Sequence, residues 1–386
     1  MSRDQNSLVL AVPWWVHPLP ASRSKAPTLY DLRPRAGRKK EIQMRAGTPL
    51  SACLTIALLA CTSEDGPTQP EAGRNPAPPA PAVVAVSNTW TERGPHPFAP
   101  LTGVSAGVLT NSAKQPVVYT FGGIDDEGGT GWRINSYNAA TDTWTGDTSR
   151  VYVFNANGVG TIGGKLYFSG GYVGIDGGVR EPSRQVWAYD PAARRLIRRA
   201  DMPRLTAEGV TGVIGDILYV LPGVCGADGW PRPGFCESEP FRRLYRYDPA
   251  TNKWGTRRSA PHFHKSGAAG VIGGKLYVVG GFSGFQPVAD LDVYDPATDT
   301  WKTLAPIPTA GGAIGTALQG KLYVLAGSDA YVYNPGTNKW SPIAVPTWGH
   351  DEVVRVLIAG QPRLLALGGN HGVHPAIPNN SEVYTP

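Results

Sequence analysis

The sequence predicts an all-β chain closed into a propeller of six blades, and three observations predict it. The phrase "VYDPATDTW", ending at Trp301, recurs in variant form at five other places. Each copy follows a short apolar run closed by small residues. From Ser87 to Pro386 the copies return about every 50 residues, and self-similarity at that period marks a ring or array of repeated units.

The elements of one repeat follow in order. The apolar runs are "PVVYTFGG" to Gly123, "GKLYFSGG" to Gly171, "DILYVLPG" to Gly223, "GKLYVVGG" to Gly281, "GKLYVLAG" to Gly327 and "PRLLALGG" to Gly369. They are short and rich in β-branched and aromatic residues, as strands buried between neighbouring blades should be. The small residues behind them permit a close backbone approach that a Cβ would block. Tyr-Asp-Pro-Ala-Thr is turn chemistry, with Pro fixing φ and Asp able to cap the turn. The Trp then opens the next strand and offers a large apolar face.

The other copies are "SYNAATDTW" to Trp144, "RYDPATNKW" to Trp254 and "VYNPGTNKW" to Trp340, while "AYDPAARRL" puts Leu196 in the Trp slot. The sixth is split, with "VYTP" ending at Pro386 and "SNTW" ending at Trp90. A blade left open would expose an edge strand. The segment around Trp90 is therefore expected to add the outer strand to the blade whose other strands come last. Double glycine, then Tyr, then Trp after a short turn resembles the kelch motif. That resemblance covers residues 87–386 and implies a six-bladed kelch propeller.

Residues 1–86 read differently. The apolar run 50–60 is too short to span a bilayer but suits the core of an export signal. Residues 1–43 do not fit a signal's usual start, so translation is expected to begin at Met44, with a signal over 44–60. "LLAC" resembles a bacterial lipoprotein processing site, which implies lipidation of Cys61. The Pro-rich stretch 61–86 is then a tether between membrane and propeller. The expected location is the bacterial cell envelope, periplasmic or surface. Of the remaining cysteines, Cys225 and Cys236 share one turn-rich stretch, and a disulfide between them fits an oxidising compartment.

The chain carries a formal charge of +6. Residues 1–60 hold nine Lys or Arg against three Asp or Glu, so the whole excess precedes Cys61 and the rest is balanced. Nucleic-acid binding loses its electrostatic support.

In a propeller the strands of a blade run from axis to rim in alternating directions. Loops joining second to third strands therefore share a face with the connectors from one blade to the next. The short Asp-Pro-Ala-Thr turns fall on the opposite face, and the long variable loops are where function is usually held. His96, His262, His264 and His350 precede inner strands, and His371 and His374 follow the last glycine pair, so all six map to the long-loop face. Trp132 and Trp230 fall on its loops and Trp348 on a connector. Arg204, Glu208, Lys265, Asp351 and Glu352 stand at the starts of inner strands, where they are expected to line the central mouth.

Three roles compete for this set. One is ordinary loop packing. A second is a binding surface, in which Trp132, Trp230 and Trp348 stack on a sugar or grip a protein loop while Arg204, His262, Lys265, His371 and His374 bond its polar parts. The third is catalysis, with Glu208, His264 or His350 as acid–base groups, or His264, His350, His371 and His374 as zinc or copper ligands. Galactose oxidase is a kelch-type propeller with two Tyr and two His on copper, but no Tyr–His pair or Cys–Tyr crosslink candidate is evident here. The bacterial N-acetylneuraminate epimerase is more similar in blade count and export. That resemblance implies sugar chemistry, with Arg204 facing the carboxylate. The expected function is an exported module binding carbohydrate or protein, with a sugar-modifying enzyme as the alternative. No cofactor and no nucleic acid are expected, the membrane is met only through the lipid anchor, and the chain is expected to be a monomer.

Overall fold

The computed structural model describes residues 87–94, 102–124, 133–175, 179–224, 241–369 and 381–386, and its described residues form six four-stranded antiparallel sheets. The first blade is Ser105–Thr110, Pro116–Phe121, Arg133–Asn138 and Thr143–Arg150. The second is Val159–Ile162, Lys165–Ser169, Val186–Asp190 and Arg195–Arg198. The third is Val210–Ile214, Ile217–Leu221, Tyr245–Asp248 and Lys253–Thr256. The fourth is Ala268–Ile272, Lys275–Val279, Leu291–Asp295 and Thr300–Leu304. The fifth is Ala313–Leu318, Lys321–Ala326, Asp329–Asn334 and Lys339–Pro342.

The sixth blade takes Glu352–Ile358, Gln361–Leu367 and Glu382–Thr385 from the end of the chain and Thr89–Glu92 from its start. Trp90 pairs with Tyr384 and Thr89 with Thr385, so the split phrase is rejoined across the seam as the sequence implies. Two small hairpins stand outside the blades, Tyr172–Ile175 with Val179–Pro182 and Phe282–Ser283 with Gln286–Pro287.

Core clusters join adjacent blades rather than filling single ones. Val354, Val356 and Leu365 of the sixth blade pack with Val104, Ala106 and Val118 of the first. Close packing at the inner strands depends on Gly160, where a Cβ would lie 2.2 Å from Leu218 Cδ1 of the next blade. The volume is already filled, and interiors at that density have no room for a methyl.

The repeated phrase builds a latch between blades. All six of its tyrosines, Tyr137, Tyr189, Tyr247, Tyr294, Tyr333 and Tyr384, are fully buried. In the fourth blade Tyr294 donates its hydroxyl to Asp299 Oδ1 at 2.7 Å. The same oxygen accepts the backbone N–H of Arg258 from the preceding connector at 3.1 Å, and Trp301 Nε1 donates to the Arg258 carbonyl at 2.8 Å. Asp299 sits at φ 51°, a left-handed conformation that Asp and Asn tolerate best among residues with a side chain. Tyr247, Asn252 and Trp254 grip Ala200 in the same way, and Tyr333, Asn338 and Trp340 grip Ala305. Across the seam Tyr384, Asn88 and Trp90 grip Ala344. The second blade departs from this. Arg194 takes the Asp/Asn position at φ 47°, and the Tyr189 hydroxyl reaches back to Asp147 of the first blade instead.

Candidate functional site

The inner strands begin from a common rim. Asn155 donates its backbone N–H to the Gly103 carbonyl, Glu208 to Asn155, Ser266 to Glu208 and Ala313 to Ser266, at 2.8, 2.9, 2.7 and 3.0 Å. This chain of bonds links the first five blades. Asn155, Glu208 and Ser266 all carry a positive φ, of 48, 54 and 54°. Three side-chain residues in a region that costs L-amino acids free energy, at matching positions in successive blades, mark a constrained rim.

Glu208 is the centre of that rim. Its Oε2 lies 2.8 Å from Lys265 Nζ and accepts Ser266 Oγ at 3.4 Å, while Oε1 accepts Asn155 Nδ2 at 3.3 Å. The Glu208 and Lys265 side chains are 18% and 15% exposed, so the pair is largely desolvated yet reachable. Glu208 and Lys265, both expected at the mouth, are brought together. Asn155 and Ser266 were not expected, and they complete the carboxylate's surroundings. Asp351 belongs to the seam, where its Oδ2 accepts the N–H groups of Gly103 and Gly369 at 2.8 and 2.9 Å. Desolvation, to which Asp351 adds repulsion, pushes the neighbouring Glu352 carboxyl up to about 8.

The described histidines, His262, His264 and His350, have partners of their own. His264 is 1% exposed; its Nδ1 is 2.8 Å from the Gly280 carbonyl and its Nε2 3.2 Å from Asp292 Oδ2. Asp292 is wholly buried and also accepts the His262 backbone N–H at 3.1 Å and the Thr303 hydroxyl at 2.7 Å. His262 Nδ1 stands 3.0 Å from the same carboxylate and its Nε2 3.7 Å from Asp290. Burial alone pushes the Asp292 carboxyl up, but hydrogen bonds from His262, His264 and Thr303 outweigh it and hold the group well below the carboxylate range. The hydrogen bond to Asp292 raises His262, with Asp290 adding to it, against desolvation and the nearby Arg242.

The sixth blade repeats the arrangement. His350 Nε2 is 2.8 Å from Glu382 Oε2, both side chains being buried, and Glu382 also accepts the backbone N–H groups of Thr347 and Trp348. Trp348 donates its indole N–H to Glu92 at 2.9 Å. Asp292 and Glu382 occupy matching places, each two residues before the tyrosine of the phrase. His264 and His350 thus sit in different blades, each with its own acid, and are not brought together. Among the described residues no three His, Cys, Asp or Glu side chains gather as a metal would require. Arg204 lies 4.3 Å over the ring of Phe241. Trp132, Trp230, His371 and His374 fall outside the described residues, as do Cys61, Cys225 and Cys236.

Comparison with known proteins agrees with this architecture. The model of the Kelch motif matches residues 265–308. The Kelch-like protein terF of Aspergillus terreus is 25% identical over 241 residues, 57% of this chain and 52% of that protein. Human Kelch-like protein 23 is 27% identical over 144 residues, 37% of this chain and 24% of that protein. The chain thus spans about half or less of these curated relatives. The solved structure of YjhT superposes with a TM-score of 0.56 at 17% identity, over 72% of this chain and 98% of that one. At that identity the likeness concerns the fold alone, which is a six-bladed propeller.

Proposed function

We propose that this protein is an exported binding module whose ligand is uncharged and hydroxyl-rich, a carbohydrate, held at the mouth around Glu208. The observation that carries this is the braced pair of Glu208 and Lys265 flanked by Asn155 and Ser266. The two charges cancel, so this stretch of the rim offers a dense set of donors and acceptors with no net charge of its own. Such a set matches hydroxyls, which both donate and accept, better than a phosphate or a carboxylate. Binding to an immobilised glycan panel tests it. Glu208→Gln or Lys265→Met is expected to weaken the best glycan by about 1.5–3 kcal/mol, ten- to hundredfold, because each removes a charged hydrogen-bonding partner. A panel without a single binder, or variants that bind as well as the parent, would count against the mouth.

In this reading the module is held at the bacterial envelope by a lipid on Cys61, ahead of the tether 61–86. "LLAC" supports it. Cells fed a labelled fatty acid are expected to label the full-length chain and not its Cys61→Ser variant. Unlabelled parent protein would defeat the anchor.

A further inference from the structure

The outer strands of successive blades meet end to end around the perimeter. Ala200, just past the outer strand of the second blade, donates its N–H to Asn252 at the turn into the outer strand of the third, at 2.9 Å, and Arg199 Nη2 donates to the Pro249 carbonyl of the same turn at 2.7 Å. Arg258, just past the outer strand of the third blade, meets Asp299 of the fourth in the same way. Basic residues gather on one stretch of this perimeter. The outer strand and the two residues after it hold Arg195, Arg198 and Arg199 in the second blade and Lys253, Arg257 and Arg258 in the third. The same window holds one basic residue in each other blade, namely Arg150, Lys302, Lys339 and Arg93.

Protection of an edge strand does not account for this. Charged side chains commonly guard such edges, but the outer strands "TWTGDTSR" and "TWTE" of the first and sixth blades do without a cluster of one sign. Nor does the fold absorb the charges. Arg195 and Lys253 are exposed and bond to no described side chain, and Arg258 is exposed and held through the hydrogen bonds of its backbone. The carboxylates at the turns and connectors of these strands are Asp190, Asp201, Asp248 and Asp299. Asp190 is cancelled by Lys165 and Asp201 answers Arg198, so the cations outnumber the remaining acids along the strip. The outside of a closed ring is convex, and a convex edge meets a plane along a line instead of enclosing a strand. A line of long cationic side chains on such an edge matches a flat surface of anionic headgroups.

We infer that the outer edge of the second and third blades is laid against an anionic lipid surface, so that the propeller stands on its rim and its mouth opens along the membrane. The inference is independent of what the mouth binds and rests on the envelope reading only for where such a surface is met; an acyl chain and a basic patch together hold a protein more firmly than either alone. Its test is co-sedimentation of the full chain carrying Cys61→Ser, which takes acylation out of the result, with phosphatidylcholine vesicles that do or do not contain phosphatidylglycerol. Binding is expected to need phosphatidylglycerol and to fall with added salt. Residues 1–60 are themselves basic, so the decisive comparison is between variants. Arg195→Gln, Lys253→Gln and Arg258→Gln together are expected to weaken binding on the order of a hundredfold. The same loss of charge on the first and fifth blades, Lys114→Gln, Lys321→Gln and Lys339→Gln together, is expected to change it less than about threefold. Arg195→Lys with Arg258→Lys keeps the charge and is expected to bind as the parent does. Equal losses from the two Gln sets, a loss in the Lys variant, or no preference for phosphatidylglycerol overturns the inference. Retention on immobilised polyphosphate without binding to any vesicle gives the edge to a soluble polyanion and overturns it as well. Failure of fatty-acid labelling at Cys61 defeats the anchor and leaves this result standing.

Discussion

Asp292→Ala is expected to destabilise the propeller by about 3–5 kcal/mol, because breaking a buried pair leaves its partner unpaired in a place water cannot reach. Asp292 is wholly buried and serves His262, His264 and Thr303 at once. Thr303→Val removes one hydrogen bond to the same carboxylate and should cost only about 1 kcal/mol. Urea denaturation of both variants against the parent measures the contrast. The pH dependence has a definite sign. The Asp292 carboxyl is lowered from 3.8, so its contribution is present above that value and is lost as pH falls through the folded value. His262 is raised from 6.5, so its contribution is full below that value and is lost as pH rises through the folded one. The gap between parent and Asp292→Ala should be widest between these two values and narrow on either side. A gap that is flat across the range would mean that packing, not charge, holds the connector.

A chain shortened to begin after Glu92 is expected to lose on the order of 5 kcal/mol, from one strand's ladder of hydrogen bonds and the partly buried Trp90. It loses the Trp90 bond to Ala344, the Asn88 bonds to Tyr384 and Ala344, and the Glu92 bond to Trp348. It also bares Glu382–Thr385 as an edge strand, so self-association should accompany the loss. Thermal melting and size-exclusion chromatography report both. Trp90→Phe keeps most of the apolar face and removes only the indole bond, and should cost about 1 kcal/mol. An unchanged melting temperature in the shortened chain would show that the ring holds without its closing strand.

The blades and their closure were legible because a repeated phrase, including its split copy, states where each strand begins and which end of the chain completes which blade. The latch was legible only in part. Tyr and Trp stand out in the sequence, but what they grip is the backbone of Ala200, Arg258, Ala305 and Ala344, and a carbonyl has no signature of its own. At the site, Glu208 and Lys265 were found because charge at the start of an inner strand is conspicuous. Asn155 and Ser266 were missed because small polar residues in connectors are ordinary. Aligning the copies on the inner-strand glycines would have exposed part of the rim, since Gly103, Glu208 and Ser266 each stand four residues before Gly107, Gly212 and Gly270.

His264 and His350 show the limit of topology as a guide. Position in a connector fixes the face on which a residue lies but not its depth, and depth depends on whether an acid waits beneath it. "DVY" and "EVY", with Asp292 and Glu382 at one place in two copies, were the available signal.

The second blade, with Arg194 and Leu196 where the others have Asp or Asn and Trp, bears on how such a chain drifts. In a closed ring the seams act in parallel, and one of them cannot part unless another parts as well. A defect in a single unit is thus shared among its neighbours instead of propagating. Closure gives the sequence freedom to wander blade by blade while the units keep a common plan.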